Sequence, residues 1–191
     1  MSTTPMMSPI LPIERLKGQL PDHARDLKIN LGVIASAAVL SPRQAWGTAV
    51  AAAVTSRNPE VVAAVEDAAR AHLPPEALVA ARGAASIMAM NNVYYRFLHM
   101  MGEASDYAQM PARLRMQLLG KPGVDALDFE LWCLAASSIN GCKRCVRAHE
   151  TSVRDRRGTT EHVHETVRIA AVIHAVAVTL DTMPGVVAIA A

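Results

Sequence analysis

The stretch Asn140-Gly141-Cys142-Lys143-Arg144-Cys145-Val146-Arg147-Ala148-His149-Glu150 decides how the chain is read. It contains a C-x-x-C pair with a histidine four residues on. On a helix, residues three and four apart share a face, so Cys142, Cys145 and His149 form one stripe. Two thiols within mutual reach and a base one turn further along make a redox site. The helix start favours a thiolate, and Lys143, Arg144 and Arg147 add positive potential. Side chains three apart on a regular helix start about 5–6 Å apart at Cβ, whereas a disulfide needs about 3.5–4.5 Å. The first turn must therefore distort to close the pair.

His149 follows Cys145 by one turn, so its imidazole reaches that sulfur directly or through one water. This makes Cys145 the base-activated nucleophile. Cys142, nearer the helix start and expected to be the more exposed, is the resolving thiol that a reductant attacks. Upstream lies Glu130, a lone acid in the apolar run Phe129-Glu130-Leu131-Trp132-Cys133-Leu134. Burying an unpaired charge is costly. Glu130 is read either as the partner that orients His149 or as an acid favoured by its helix N-terminus. Cys133 reads as a small buried hydrophobe.

Length and composition agree with one helical domain. The 191 residues are 51% apolar and 19% charged, with a formal net charge of +2. That excludes compositional disorder, and without a basic block interleaved with aromatics it gives no sign of nucleic acid. Three cysteines cannot all pair within one chain, which points to a reducing, cytoplasmic setting. Residues 1–12 carry no basic n-region and are broken by prolines, so no signal peptide is expected. Alanine-rich runs such as 29–42 fall short of the roughly 18 residues of a spanning segment.

Helix start and stop signals recur. They predict a helix from Pro21-Asp22 to about Val39, and a capping box at Ser41-Pro42-Arg43-Gln44. Further helices open at Asn58-Pro59 and after Pro74-Pro75, the latter running to Met100. A segment over 111–119 is stopped by Gly120 and Pro122. Asp125 or Asp128 caps the Glu130 helix and Asn140 the cysteine helix. Thr159 or Thr160 caps a last helix to about Leu180. Residues 1–20 read as an extension and 21–185 as the domain, its catalytic half about 124–182. The two halves show a faint repeat: residues 40–42 and 56–60 run parallel to residues 140–142 and 156–161. Pro42 and Ala45 stand in the first half where Cys142 and Cys145 stand in the second.

Two further groups remain. His162-Val163-His164 with the C-x-x-C pair and His149 offers zinc ligands, although histidines two apart on a helix face different ways; His174 lies on the same helix. The run Met88-Ala89-Met90-Asn91-Asn92-Val93-Tyr94-Tyr95-Arg96-Phe97 reads as a helix–helix interface, a wall of the active-site pocket, or a subunit contact.

With these residues in hand, the chain resembles the AhpD-type alkyl hydroperoxidases of the carboxymuconolactone-decarboxylase-like superfamily, from about Pro21 to Leu180. The resemblance is carried by Asp26-Leu27-Lys28-Ile29-Asn30-Leu31, Met90 to Phe97, Pro111-Ala112-Arg113-Leu114-Arg115-Met116, Phe129-Glu130-Leu131-Trp132, and Ile139 to Cys142 with Cys145, His149 and Glu150. It implies an all-α fold with an internal repeat, assembled as a homotrimer, without bound cofactor or metal. It also implies an antioxidant reaction. Glu130, through His149 and a water, deprotonates Cys145, which attacks an alkyl hydroperoxide and becomes a sulfenic acid. Cys142 condenses with it to a disulfide, which a dihydrolipoyl domain of a 2-oxoacid dehydrogenase complex reduces. A peroxiredoxin, AhpC, is the implied further partner. Some members carry a histidine between the cysteines. Here it is Arg144, which cannot shuttle a proton. A carboxymuconolactone-decarboxylase-like lyase and a zinc-held binding module stand as the alternatives.

Overall fold

The computed structural model describes residues 11–183 and is helical throughout, with no strand among the described residues. Its centre is α9 (Ala126–Ile139). Leu131 through Ser137 are each 0% exposed, and a helix apolar all round has to be the innermost one. Around it pack α4 (Pro42–Ser56), α6 (Pro75–Met101), α10 (Lys143–Asp155) and α11 (Thr160–Asp181). Close approach depends on small side chains. α6 buries Ala77, Ala80, Ala81, Ala84 and Ala85 along one stripe, and a Cβ at Gly47 of α4 would overlap the indole of Trp132. Trp132 and Phe129 are the largest fully buried side chains and meet edge to face.

α1 (Leu11–Gln19) lies within what reads as an N-terminal extension. It nevertheless sends Ile13 and Leu16 into the same core, against α5 (Pro59–Ala69). The helix expected from Pro21-Asp22 to Val39 is instead three pieces: a 3-10 turn at Asp22–Ala24, α2 (Arg25–Asn30) and α3 (Val33–Ser36). Leu31, Val33, Ile34 and Leu40 all enter the core, a spacing no single straight helix can bury. The chain turns at Gly32, a poor helix former.

Two short helices, α7 (Asp106–Gln109) and α8 (Gln117–Gly120), follow α6. The segment expected over 111–119 is helical only in α8. Pro111 holds the preceding residue extended, and Arg113 takes a left-handed φ of 52°.

The capping box at Ser41 and Gln44 forms as expected, and Asn58, Asp125 and Thr159 each cap their helices. α11 is the one described helix long and apolar enough to cross a membrane by length and composition. Its Ile169, Ile173, Val176 and Ala177 lie in the core against α4 and α9. One local likeness joins the halves: an arginine of left-handed φ follows both α4 and α10, immediately at Arg57 (68°) and one residue later at Arg157 (66°).

Candidate active site at the C-x-x-C helix

The turn between α9 and α10 builds the site. α9 ends at Ile139. Gly141 then takes φ 66°, its N–H bonding back to the Ser138 carbonyl while the Cys142 N–H reaches that of Ser137. This pair of bonds is a Schellman motif, for which glycine suits the left-handed position. It delivers Cys142 directly to the N-cap of α10, in extended conformation (φ −88°, ψ 90°). The expected cap, Asn140, instead closes α9 and donates its side-chain amide to Asn92 Oδ1 at 2.9 Å. Cys142 caps the helix itself, its Sγ accepting the Cys145 N–H at 3.3 Å.

Cys142 and Cys145 form a disulfide, with Cα atoms 5.3 Å apart. Because Cys142 is already off the helix, its side chain folds back over the first turn, and this closes the gap a regular helix leaves. The expected order of exposure is reversed: Cys142 is 0% exposed and Cys145 6%. The Schellman turn tucks the cap sulfur beneath α10 and leaves Cys145 as the reachable one.

Cys145, His149 and Val153 are the buried residues of α10, a single stripe one turn apart on an otherwise charged helix. His149 Nδ1–H donates to Glu130 Oε2 at 2.7 Å, so the two readings of Glu130 resolve toward the partner of His149. The other carboxylate oxygen, Oε1, lies 3.8 Å from Arg156 Nη2. On the far side of the ring, Nε2 meets the Met88 Sδ at 3.1 Å. Each ring nitrogen thus faces an acceptor. The carboxylate stands at Nδ1 and the thioether at Nε2.

Cys145 and His149 line a cavity of about 340 Å³, completed by Met88, Asn91, Tyr95 and Met116 among others. Larger neighbouring clefts of about 420 and 530 Å³ are lined by neither cysteine. Met88, Asn91 and Tyr95 are spaced three and four apart on α6 and so share a face. The amide- and tyrosine-rich run is therefore both a pocket wall and an interface between helices. Arg144 packs its guanidinium 5.2 Å over the Tyr95 ring, where a cation is attracted by the ring face.

Cys133 is fully buried on α9, and burial, reinforced by the negative charge of Glu130, pushes its thiol well above the usual range. His162 shares the capping box of α11, its Nδ1 accepting the Thr159 N–H at 3.3 Å, and His174 Nδ1 pairs with the Ser56 hydroxyl at 3.1 Å. Among the described residues, no three His, Cys, Asp or Glu side chains are grouped to hold a metal.

The sequence pointed to Glu130, Cys142, Cys145 and His149 individually, and the fold brings all four together. It did not single out Met88 as a neighbour of His149, nor Arg156 as a second partner for Glu130. The spacing of Met88 and Asn91 on one face of α6 was the available signal. For Arg156, just beyond the end of α10, there was none.

Residues 105–185 match the model of the carboxymuconolactone decarboxylase family. The chain is 54% identical to the alkyl hydroperoxide reductase AhpD of Gluconacetobacter diazotrophicus over 88% of its own length and 92% of that protein. It is 52% identical to the AhpD of Rhodospirillum centenum, over 88% and 90%. For the AhpD of Bradyrhizobium sp. (strain ORS 278), the identity is 50% over 94% and 98%. With about half of its residues shared along nearly the whole length of such relatives, the chain belongs to the AhpD family.

Proposed function

We propose that this protein is an antioxidant thiol peroxidase that reduces alkyl hydroperoxides. The observation that carries the reading is the Cys142–Cys145 disulfide at a cavity shared by Cys145 and His149, with His149 held 2.7 Å from Glu130. In the reduced protein, His149 takes the Cys145 proton through a water, and Glu130 stabilises the ring as it gains charge. The Cys145 thiolate attacks the outer peroxide oxygen and the O–O bond breaks. The alkoxide leaves and takes a proton from His149, so one molecule of alcohol forms and Cys145 becomes a sulfenic acid. The Cys142 thiol then displaces hydroxide as water and the disulfide closes.

Re-reduction is assigned to an external dithiol, a dihydrolipoyl group carried on an acyltransferase domain. Its thiolate attacks the reachable Cys145 sulfur. Cys142 leaves as a thiolate, which the Cys145 N–H at the helix N-terminus receives. The second lipoyl thiol then resolves the mixed disulfide, so two electrons pass from dithiol to peroxide in each cycle. Service to a peroxiredoxin of the AhpC type uses the same disulfide. The resemblance to the AhpD family supports a homotrimer, and the three-cysteine composition with a buried, unpaired Cys133 supports a cytoplasmic setting.

The test is consumption of cumene hydroperoxide by the purified protein with dihydrolipoamide as sole reductant. Turnover abolished by Cys145→Ser is the expected result; turnover unchanged in that variant overturns the reading. The carboxymuconolactone decarboxylase match over residues 105–185 favours a second reading, a lyase. That activity would be decarboxylation indifferent to thiol alkylation.

A further inference from the structure

α5, α6, α9 and α11 each carry an acid in the first turn, Glu60, Glu76, Asp128 and Glu161, where the helix dipole favours negative charge. α10 carries none there and opens on Lys143 and Arg144 instead. Arg147 follows Lys143 by four residues, a like-charge spacing that is itself unfavourable. All three side chains are exposed, and among the described residues none is within ion-pair distance of a carboxylate. The three line one cleft of about 420 Å³, a volume usual for a small-molecule site. His99 of α6 and Gln109 of α7 add polar groups to it, and Glu103 is the one acid of that lining among the described residues. Cations kept together against the dipole and against each other, around a cleft with a surplus of positive charge, are the pattern of an anion-binding site.

Arg144 is a wall of this cleft and also of the 340 Å³ cavity that Cys145 and His149 line. We propose that the basic cleft is a subsite for a carboxylate on the peroxide substrate, and that the substrate class is the hydroperoxides of long-chain carboxylic acids. The proposal rests on the peroxidase reading above. The part of the chain that bears the O–O–H group lies in the cavity, among Met88, Met116 and Leu119. The rest passes Arg144, and Lys143 and Arg147 receive the carboxylate. These two stand two residues before and after Cys145, roughly 200° around the helix from it. The ends of the substrate are therefore held on the order of 10 Å apart, the width of a helix, which a long chain spans and a short one does not. A cleft walled by α6, α7 and α10 encloses a chain end, where a flat basic face would suit an acidic protein. The chemistry is unchanged: the terminal oxygen passes to Cys145, the hydroxy acid leaves, and closure of the disulfide releases water, the two thiols supplying both electrons.

The experiment compares a long-chain hydroperoxy fatty acid with its methyl ester, both below their micellar range. Disulfide formation in the reduced protein is followed in a single turnover with no reductant present, so that docking of a reductant does not enter. The acid is expected to react about tenfold faster than the ester at low concentration, the worth of one charge-assisted contact, and high salt should remove the difference. The double variant Lys143→Gln, Arg147→Gln is expected to bring the acid down to the rate of the ester. The ester itself should stay within about threefold of its rate in the parent, because solvent screens both cations from the sulfur. Equal rates for acid and ester in the parent would overturn the proposal. So would a parallel fall of both in the variant, which would place the action of the cations on the thiolate. Acid and ester both unaltered in the variant, with reduction by a dihydrolipoyl domain slowed, would overturn it in favour of an acidic protein partner. A parent that forms no disulfide with these hydroperoxides or with cumene hydroperoxide would instead overturn the peroxidase reading itself.

Discussion

Ser41 opens α4 with a hydroxyl that accepts the Gln44 N–H at 3.2 Å, and Cys142 opens α10 with a sulfur that accepts the Cys145 N–H at 3.3 Å. The two caps share one geometry, N-cap to third helical residue, yet they serve different ends. At α4 the third residue is Gln44, which returns a bond to the Ser41 N–H at 3.0 Å and completes a capping box. The helix then buries Ala45 through Ala53 as part of the core. At α10 the third residue is a second cysteine, and a covalent bond stands where the reciprocal hydrogen bond would be. Only Cys145, His149 and Val153 of that helix are buried. A helix cap thus becomes a redox device by exchanging oxygen for sulfur at two positions. With the disulfide closed, the Cys142 sulfur still accepts the cap bond from the Cys145 N–H.

The most severe way to break this comparison is to remove the sulfurs. Cys145→Ser is expected to lower peroxide turnover by at least about a thousandfold, as loss of a nucleophile does. Cys142→Ser is expected to stop turnover as well while reproducing the Ser41 type of cap. Thermal unfolding of that variant should match the reduced parent protein. Cys142→Ala should fall below it by about 1 kcal/mol, the usual worth of a cap. A serine variant as unstable as the alanine one would show that the cap bond contributes nothing.

Next comes the stripe that only α10 carries. Glu130→Gln leaves an acceptor for the His149 Nδ1–H but cannot stabilise the charged ring. A loss of about a hundredfold or more in the rate of thiol oxidation is expected, read by stopped-flow under single turnover. Ser41→Ala sharpens the comparison from the other side. It should cost about 1 kcal/mol of stability in denaturant unfolding and leave turnover intact. The smallest effect belongs to Arg144→His. The guanidinium packs on Tyr95 and cannot shuttle a proton, so a steady-state rate within about threefold of the parent is expected.

Much of this was legible in the sequence because its signals are local. Capping residues at Ser41, Asn58, Asp125 and Thr159 mark four helix starts that the structure reproduces. The four-residue spacing of Cys145 and His149 puts both on one face of α10 whatever surrounds it. What failed was what depends on tertiary packing. Residues 22–39 break at Gly32 because consecutive apolar side chains must all reach the core. Cys142, rather than Asn140, caps α10 because Gly141 closes a Schellman turn, a feature of backbone angle and not of composition. The burial order of the two sulfurs follows from that turn and was misjudged with it. Met88 and Arg156 meet His149 and Glu130 only through helix packing across the bundle.

The central claim is that Cys142 and Cys145 are a working redox pair while Cys133 is inert core, its thiolate disfavoured by burial and by Glu130. It is tested most directly by counting thiols through one turnover. The reduced protein is mixed with one equivalent of an alkyl hydroperoxide, quenched in denaturant with a maleimide and weighed by mass spectrometry, before and after dihydrolipoamide is added. Loss of the labels at Cys142 and Cys145, with Cys133 still labelled and both lost labels restored by the dithiol, is the predicted result. Labels unchanged at all three cysteines after exposure to peroxide would contradict the account.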